Sequence, residues 1–218
     1  MFSDDVRRQL QNIIQGNVIK EQPDSCTTIR NHLCASFPTS TTVKEGFESK
    51  SLIKEEQIRF LKAFADTHNL WISEIPSDWT YLTHGGEAKI YLHPDGLSVV
   101  KLNDGVYYAT WLEYFNSLAI HNLLFPDTTY TFLGFLQKDN TLLVVLKQPF
   151  VASNEIADLS AIRDYLEFNG FEHKIRQDYV YKEFGLILED MHDENVILKN
   201  GSLFFIDTVF YIDLNSKS

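Results

Sequence analysis

Apolar and polar positions alternate with two different periods along this chain. Toward the N-terminus the period is helical. Ser3 is placed to cap a helix with Val6, Leu10, Ile13 and Ile14 on one face and Gly16 as its stop. CTTIRNHLCASF (Cys26–Phe37) predicts a second helix with a Thr as its cap. It lies between punctuation at Pro23 and Pro38, the latter opening a Ser/Thr cluster over Pro38–Thr42. Lys54–His68 predicts a third, with Ile58, Leu61, Phe64 and Ala65 along one stripe and Asn69 ending it. Residues 1–75 therefore read as a helical N-terminal segment.

Near Trp79 the period shortens to two. YLTHGGEAKIYLHPDGLSVVKL reads as strand, Gly turn, strand, Pro-Asp-Gly turn, strand. Asn103 or Asp104 can cap a helix from Val106 to Leu124, carrying Tyr108, Leu112, Phe115, Leu118 and Leu123, with Pro126-Asp127 as its breaker. Strands are expected at Tyr130–Leu136 and Thr141–Val151, joined by a polar turn. A helix at Ile156–Phe168 should close at Asn169-Gly170. Tyr179–Tyr181 and Leu186–Leu188 read as short β pieces. Val196–Leu198 and Leu203–Ile206 form a hairpin turned at Asn200-Gly201. The fold class is α+β, with a compact domain over 76–218.

Composition adds little to this picture, and charge adds more. The chain is 44% hydrophobic and 22% charged, an ordinary globular balance. It holds no apolar run long enough to span a membrane, and MFSDDVRRQLQ lacks the apolar core of a secretory signal. Cys26 and Cys34 show no zinc spacing and are expected to be reduced thiols of a cytoplasmic protein. Net charge is −11, and residues 81–218 hold 10 Lys and Arg against 19 Asp and Glu. Such acidity argues against nonspecific nucleic-acid binding. A polyphosphate ligand would need divalent cations to mediate its binding.

Candidate chemistry gathers in LEDMHDENVILKNGSLFFIDTVF, Leu188–Phe210. Asp190 and Asn195 are five apart, and the hairpin should bring Asn195 and Asp207 side by side from opposite strand ends. Oxygen donors of this kind suit a hard cation. The competing reading is an acidic hairpin rim without function.

The order of these elements, with the form D-x-H-x-x-N (here DMHDEN), resembles the protein-kinase-like fold over roughly residues 79–213. The loop is closer to those of HipA-type toxin kinases and phosphatidylinositol kinases than to those of ordinary protein kinases, and aminoglycoside phosphotransferases share a similar one. The whole chain resembles a Bacteroidetes mobile-element or phage family described as polyvalent protein kinases. The resemblance implies a two-lobed fold preceded by the helical segment. It implies an ATP-dependent phosphotransferase with Mg²⁺ or Mn²⁺, acting on a protein or small-molecule acceptor. Asp190 takes the place of the catalytic base, and Asn195 and Asp207 those of the metal ligands. His192 would lie near the transferred phosphate, or else simply pack as a loop histidine against the hairpin. Gly85 and Gly86 of His84–Ala88 fall where a Gly turn covers the phosphates, although a plain hairpin turn fits as well. Lys101, closing LSVVK, matches the phosphate-contacting lysine, against a solvated strand-end lysine. Glu113 is its candidate ion-pair partner, ahead of Asn116 and His121. LKQPF stands at the interlobe hinge, where the backbone around Gln148–Phe150 would meet adenine.

Three features depart from that pattern. No His stands two before Asp190, Thr208-Val209 follow Asp207 in place of Phe-Gly, and only eleven residues come after Asp207. A reduced C-lobe is therefore expected, supported by the N-terminal 75 residues. The same departures keep two alternatives open: a pseudokinase or nucleotide-binding module without turnover, and an adaptor that binds no nucleotide.

Overall fold

The computed structural model describes residues 2–20, 24–37, 47–86, 88–153 and 155–213, with the backbone alone for 47–50. The expected punctuation at Pro23 and Pro38, the Pro38–Thr42 cluster and Glu87 of the Gly turn lie outside the described residues. The structure is mixed helix and antiparallel sheet. By internal packing the chain forms two units. One comprises Met1–Gln22, Asn116–Thr129 and Val151–Ser218, the other Pro23–Phe115 and Tyr130–Phe150. The expected boundary near residue 75 falls inside the second of these. Among the described residues no helix is long and apolar enough to cross a membrane.

In the second unit, helix α2 (Ser25–Ser36) is capped by Asp24 rather than by a threonine. The Asp24 carboxylate accepts from the Thr27 amide at 2.8 Å and its hydroxyl at 2.9 Å, and an acceptor at that position satisfies donors the helix cannot. Helix α3 (Phe47–His68) starts earlier than expected and ends at Asn69, whose φ is +55°. The expected sheet is present as β1 (Thr80–His84), β2 (Ala88–Leu92), β3 (Ser98–Asn103), β4 (Thr131–Lys138) and β5 (Thr141–Pro149). Its order is β1-β2-β3-β5-β4, antiparallel throughout.

The β2–β3 turn is closed by Asp95. Its carboxylate accepts from the Leu97 amide at 2.8 Å and the Ser98 hydroxyl at 3.1 Å, and pairs with Lys147 at 2.8 Å. The Lys147 bond is the largest cause holding this carboxyl well below the usual carboxylate range. A depressed acid stabilises the fold above its unfolded pKa of about 3.9, and that stability fades as pH falls toward the folded value. Asp95→Asn should therefore lower the melting temperature at pH 7, and the gap to wild type should close under acid. A gap independent of pH would assign the effect to turn shape instead.

Helix α4 spans Trp111–Leu124, five residues shorter than the Val106–Leu124 expected. Residues 106–110 are turn and bend. The start is fixed by T-W-L-E: the Thr110 hydroxyl accepts from the Glu113 amide at 3.1 Å, while Glu113 Oε2 accepts from the Ala109 amide at 3.0 Å. This is close to a capping box, displaced by one residue at the return bond. From α3, Gln57 Oε1 accepts from the Leu112 amide at 3.1 Å, and Lys54 Nζ donates to the carbonyls of Gly105 and Tyr108, each at 2.7 Å. Helix α3 thus supplies hydrogen-bond partners to the start of α4 that the local chain lacks.

In the first unit, helix α1 (Asp4–Ile14) has its expected Ser3 cap, and its Leu10, Ile13 and Ile14 enter a core with Phe171, Phe184, Leu186 and Leu188. Arg7 bonds the Tyr181 hydroxyl at 3.0 Å and the Glu183 carboxylate. The expected helix Ile156–Phe168 is in part a strand. Glu155–Ile156 form β6, and α5 (Leu159–Phe168) begins only after Asp158, whose side chain accepts from the Ser160 amide at 2.9 Å. The strands that follow are β7 (Glu172–Ile175), β8 (Asp178–Tyr181), β9 (Leu186–Glu189), β10 (Val196–Lys199), β11 (Ser202–Phe205) and β12 (Val209–Ile212). They form sheets of order β12-β9-β8-β7 and β11-β10-β6.

Candidate active site

On the sheet of the second unit, Lys101 sits inside β3 rather than at a solvated end, and it is only 6% exposed. Its cross-strand neighbours are Ile90 and Leu146, and Phe132 lies opposite Leu146. Residues opposite one another share a face. Phe132 meets Phe115 of α4 edge to face with centroids 6.2 Å apart, so Lys101 projects on the face that α4 covers. Its Nζ lies 3.3 Å from the Tyr130 hydroxyl and 5.3 Å from the centroid of that ring. Glu113 is in the first turn of α4, not mid-helix, with one carboxylate oxygen engaged at Ala109.

The Gly turn is closed by the Gly85 amide donating to the Ala88 carbonyl at 2.9 Å. A Cβ on Gly86 would stand 2.6 Å from the Tyr107 hydroxyl, whereas one on Gly85 would meet nothing. With Lys89, Leu102 and Leu143, the turn lines an open cavity of about 290 Å³. Leu102 alternates with Lys101, so this cavity lies on the opposite face of the sheet from the lysine. Gln148 is buried and pairs with Val99 across β3–β5. The Phe150 amide donates to the Leu97 carbonyl at 2.8 Å, while its ring is exposed.

In the first unit two ladders converge. β9 pairs with β12 so that Val209 lies opposite Glu189, immediately before Asp190. β10 pairs with β11 so that Val196 lies opposite Phe205, and the turn residues Asn200 and Gly201 have φ of +51° and +76°. That is the positive-φ pair of a type I′ turn, which joins two strands through two residues. The Asn195 carbonyl accepts from the Ile206 amide at 2.9 Å and the Asp207 amide at 3.4 Å. The hairpin thus holds Asn195 beside residues 206 and 207.

Asp190 has φ of +63°, a conformation that Asp and Asn tolerate better than other side chains. Its amide donates to Asp178 Oδ1 at 3.2 Å, and its carbonyl accepts from His192 N at 3.0 Å and Asn195 Nδ2 at 2.8 Å. Asn195 Nδ2 also approaches Asp190 Oδ2 at 3.3 Å. The reverse amide orientation would set oxygen against oxygen, so Oδ1 takes the other side of the carboxamide. His192 Nδ1 accepts from the Glu194 amide at 3.2 Å, and Nε2 lies 3.4 Å from Asp190 Oδ2 and 3.2 Å from Asn195 Nδ2. In the tautomer set by Glu194, Nε2 carries the proton. Glu189, just before Asp190, has its pKa raised by burial first and then by the charges of Asp178 and Asp190.

Among the described residues no group of three or more His, Cys, Asp or Glu side chains is placed to hold a metal ion. One structural feature had no counterpart in the sequence. The ring nitrogens of His121 face Thr208 and Thr128 rather than standing in for Glu113. No local motif signals a pairing across 87 positions.

The sequence model of a family described as serine/threonine/tyrosine kinase found in polyvalent proteins matches residues 54–214. No curated protein matches the chain.

Proposed function

The chain belongs to the serine/threonine/tyrosine kinase family found in polyvalent proteins, and from that membership we propose that it is an ATP- and Mg²⁺-dependent phosphotransferase. The observation that carries this reading is the convergence of the β9–β12 and β10–β11 ladders on Asp190, Asn195 and Asp207. In this reading the sheet unit is the N-lobe and the unit with the Asp190 loop belongs to the C-lobe. Phosphoryl transfer asks a protein mainly for positioning and charge neutralisation.

Asp190 is the base for the acceptor hydroxyl, and its carboxylate is exposed enough to be reached. His192 Nε2, 3.4 Å from Asp190 Oδ2, stands beside that carboxylate to assist charge or proton handling. Asn195 and Asp207 are the ligands of Mg²⁺ or Mn²⁺. Two oxygen donors make no cage, but Mg²⁺ in nucleotide sites takes one or two carboxylates and completes its shell with phosphate and water. The donor set therefore fits a cation that arrives with the triphosphate. When bound, that cation neutralises charge on the β- and γ-phosphates. Lys101 contacts the α- and β-phosphates, and Glu113 is its acidic partner on α4. Because the Gly85 amide closes the turn, the phosphate contact there falls to Gly86. Adenine lies against the Gln148–Phe150 backbone. With the Phe150 amide committed to Leu97, that residue offers its carbonyl and exposed ring.

The test is thermal denaturation with ATP, with and without Mg²⁺, followed by transfer of label from γ-labelled ATP to candidate acceptors, the chain included. At a hundredfold excess over Kd, a ligand of the folded state adds about 2.7 kcal/mol. A clear rise in melting temperature is expected, reversed by EDTA. A rise without transfer to any acceptor would favour a pseudokinase. No rise at all would overturn nucleotide binding.

A further inference from the structure

Thr208, immediately after Asp207, is buried and its hydroxyl is 2.7 Å from His121 Nδ1. The other ring nitrogen of His121, also buried, is 2.9 Å from the Thr128 carbonyl. A carbonyl only accepts, so Nε2 carries the proton toward Thr128, and Nδ1 bonds the Thr208 hydroxyl. The Thr128 hydroxyl in turn donates to the Phe205 carbonyl at 2.6 Å. One turn before His121 on α4, Ser117 Oγ accepts from the Phe210 amide at 3.0 Å. Three buried side chains therefore grip the chain two residues before Asp207, one after it and three after it. The rings of Phe125 and Phe205 stack beside this network at 4.3 Å, which keeps water from competing for its bonds.

We propose that His121, through Thr208 and together with Thr128 and Ser117, is the positioning residue that fixes the Asp207 carboxylate for its cation. This inference rests on the assignment of Asp207 as a metal ligand. Groups that orient metal ligands typically contribute about ten- to a hundredfold in metal affinity when removed. The Thr-Val that follows Asp207 thus has a stated purpose: a hydroxyl one residue beyond the ligand for a helix histidine to hold.

The experiment measures the Mn²⁺ concentration needed for half-maximal ATP binding, by calorimetry, in wild type, Thr208→Val and Thr208→Ser. Valine keeps the shape and loses the hydroxyl, whereas serine keeps the hydroxyl. The expected result is a shift of about tenfold or more to higher Mn²⁺ for valine, and values near wild type for serine. A role in folding alone would lower the melting temperature of the valine variant without moving its Mn²⁺ requirement, and that result overturns the proposal. Should Thr208→Val not fold, Ser117→Ala removes the grip on Phe210, and a shift in the same direction is expected. An unchanged Mn²⁺ requirement in that variant would overturn the proposal equally. Absence of Mn²⁺-dependent ATP binding in wild type would overturn this inference and the kinase reading together, whereas loss of the valine effect alone overturns only this one.

Discussion

Asp190→Asn is expected to abolish phosphoryl transfer while leaving metal-dependent ATP binding near wild type. A positioned general base contributes on the order of 10²- to 10⁴-fold, and an amide cannot take the acceptor's proton. The substitution is clean for a structural reason. Position 190 has φ of +63°, which Asn tolerates as well as Asp does, whereas Ala there would add backbone strain. The bonds that close the loop, from His192 N and Asn195 Nδ2 to the residue 190 carbonyl, do not involve the side chain. Single-turnover transfer of labelled phosphate and calorimetric ATP titration separate the two effects. Wild-type transfer by the Asn variant would return Asp190 to the role of a loop residue.

Lys101→Met should cost about ten- to a hundredfold in ATP affinity, the range expected when a charge-assisted hydrogen bond to phosphate is removed. Methionine is a fair match for the stem of a lysine buried to 6% exposure, and it removes a charge that is costly to bury. The control is Tyr130→Phe, which deletes the hydroxyl 3.3 Å from Nζ and should leave affinity within about a few-fold. If Tyr130→Phe weakens ATP as much as Lys101→Met does, the lysine acts by anchoring β3 rather than by touching nucleotide. Unchanged affinity in a folded Lys101→Met would remove it from the site.

Much of this was legible in the chain before any coordinates. Period-two runs gave the strands from Thr80 to Pro149, and the period-3.6 stripe gave the core face of α1. Asn200-Gly201 set the hairpin that binds Asn195 to Asp207, because both residues take the positive φ of a turn whose twist matches that of the strands. At two helix starts a second local signal outcompetes the expected one. T-W-L-E marks the start of α4 at Trp111 more sharply than Asn103 or Asp104 mark one at Val106, and Asp24 outcompetes a threonine as the cap of α2. Ile156 reads as helical on its own, but in the fold it pairs with Ile197, far along the chain. β7 and β12 form by pairing with β8 and β9, partners that no local window of sequence assigns.

The sequence by itself determined the spacing of Asp190, Asn195 and Asp207 and the hairpin that joins the last two, since bonds between near neighbours depend on local conformation alone. Burial and long-range pairing were decided only by tertiary structure. Lys101 became an interior group because β3 lies between β2 and β5 with α4 over one face. His121, ranked behind Glu113 as a partner for Lys101, bonds Thr208 instead because the first unit brings residues 87 apart together. Such contacts follow from which surfaces the whole chain can bury at once, and no window of sequence holds that information.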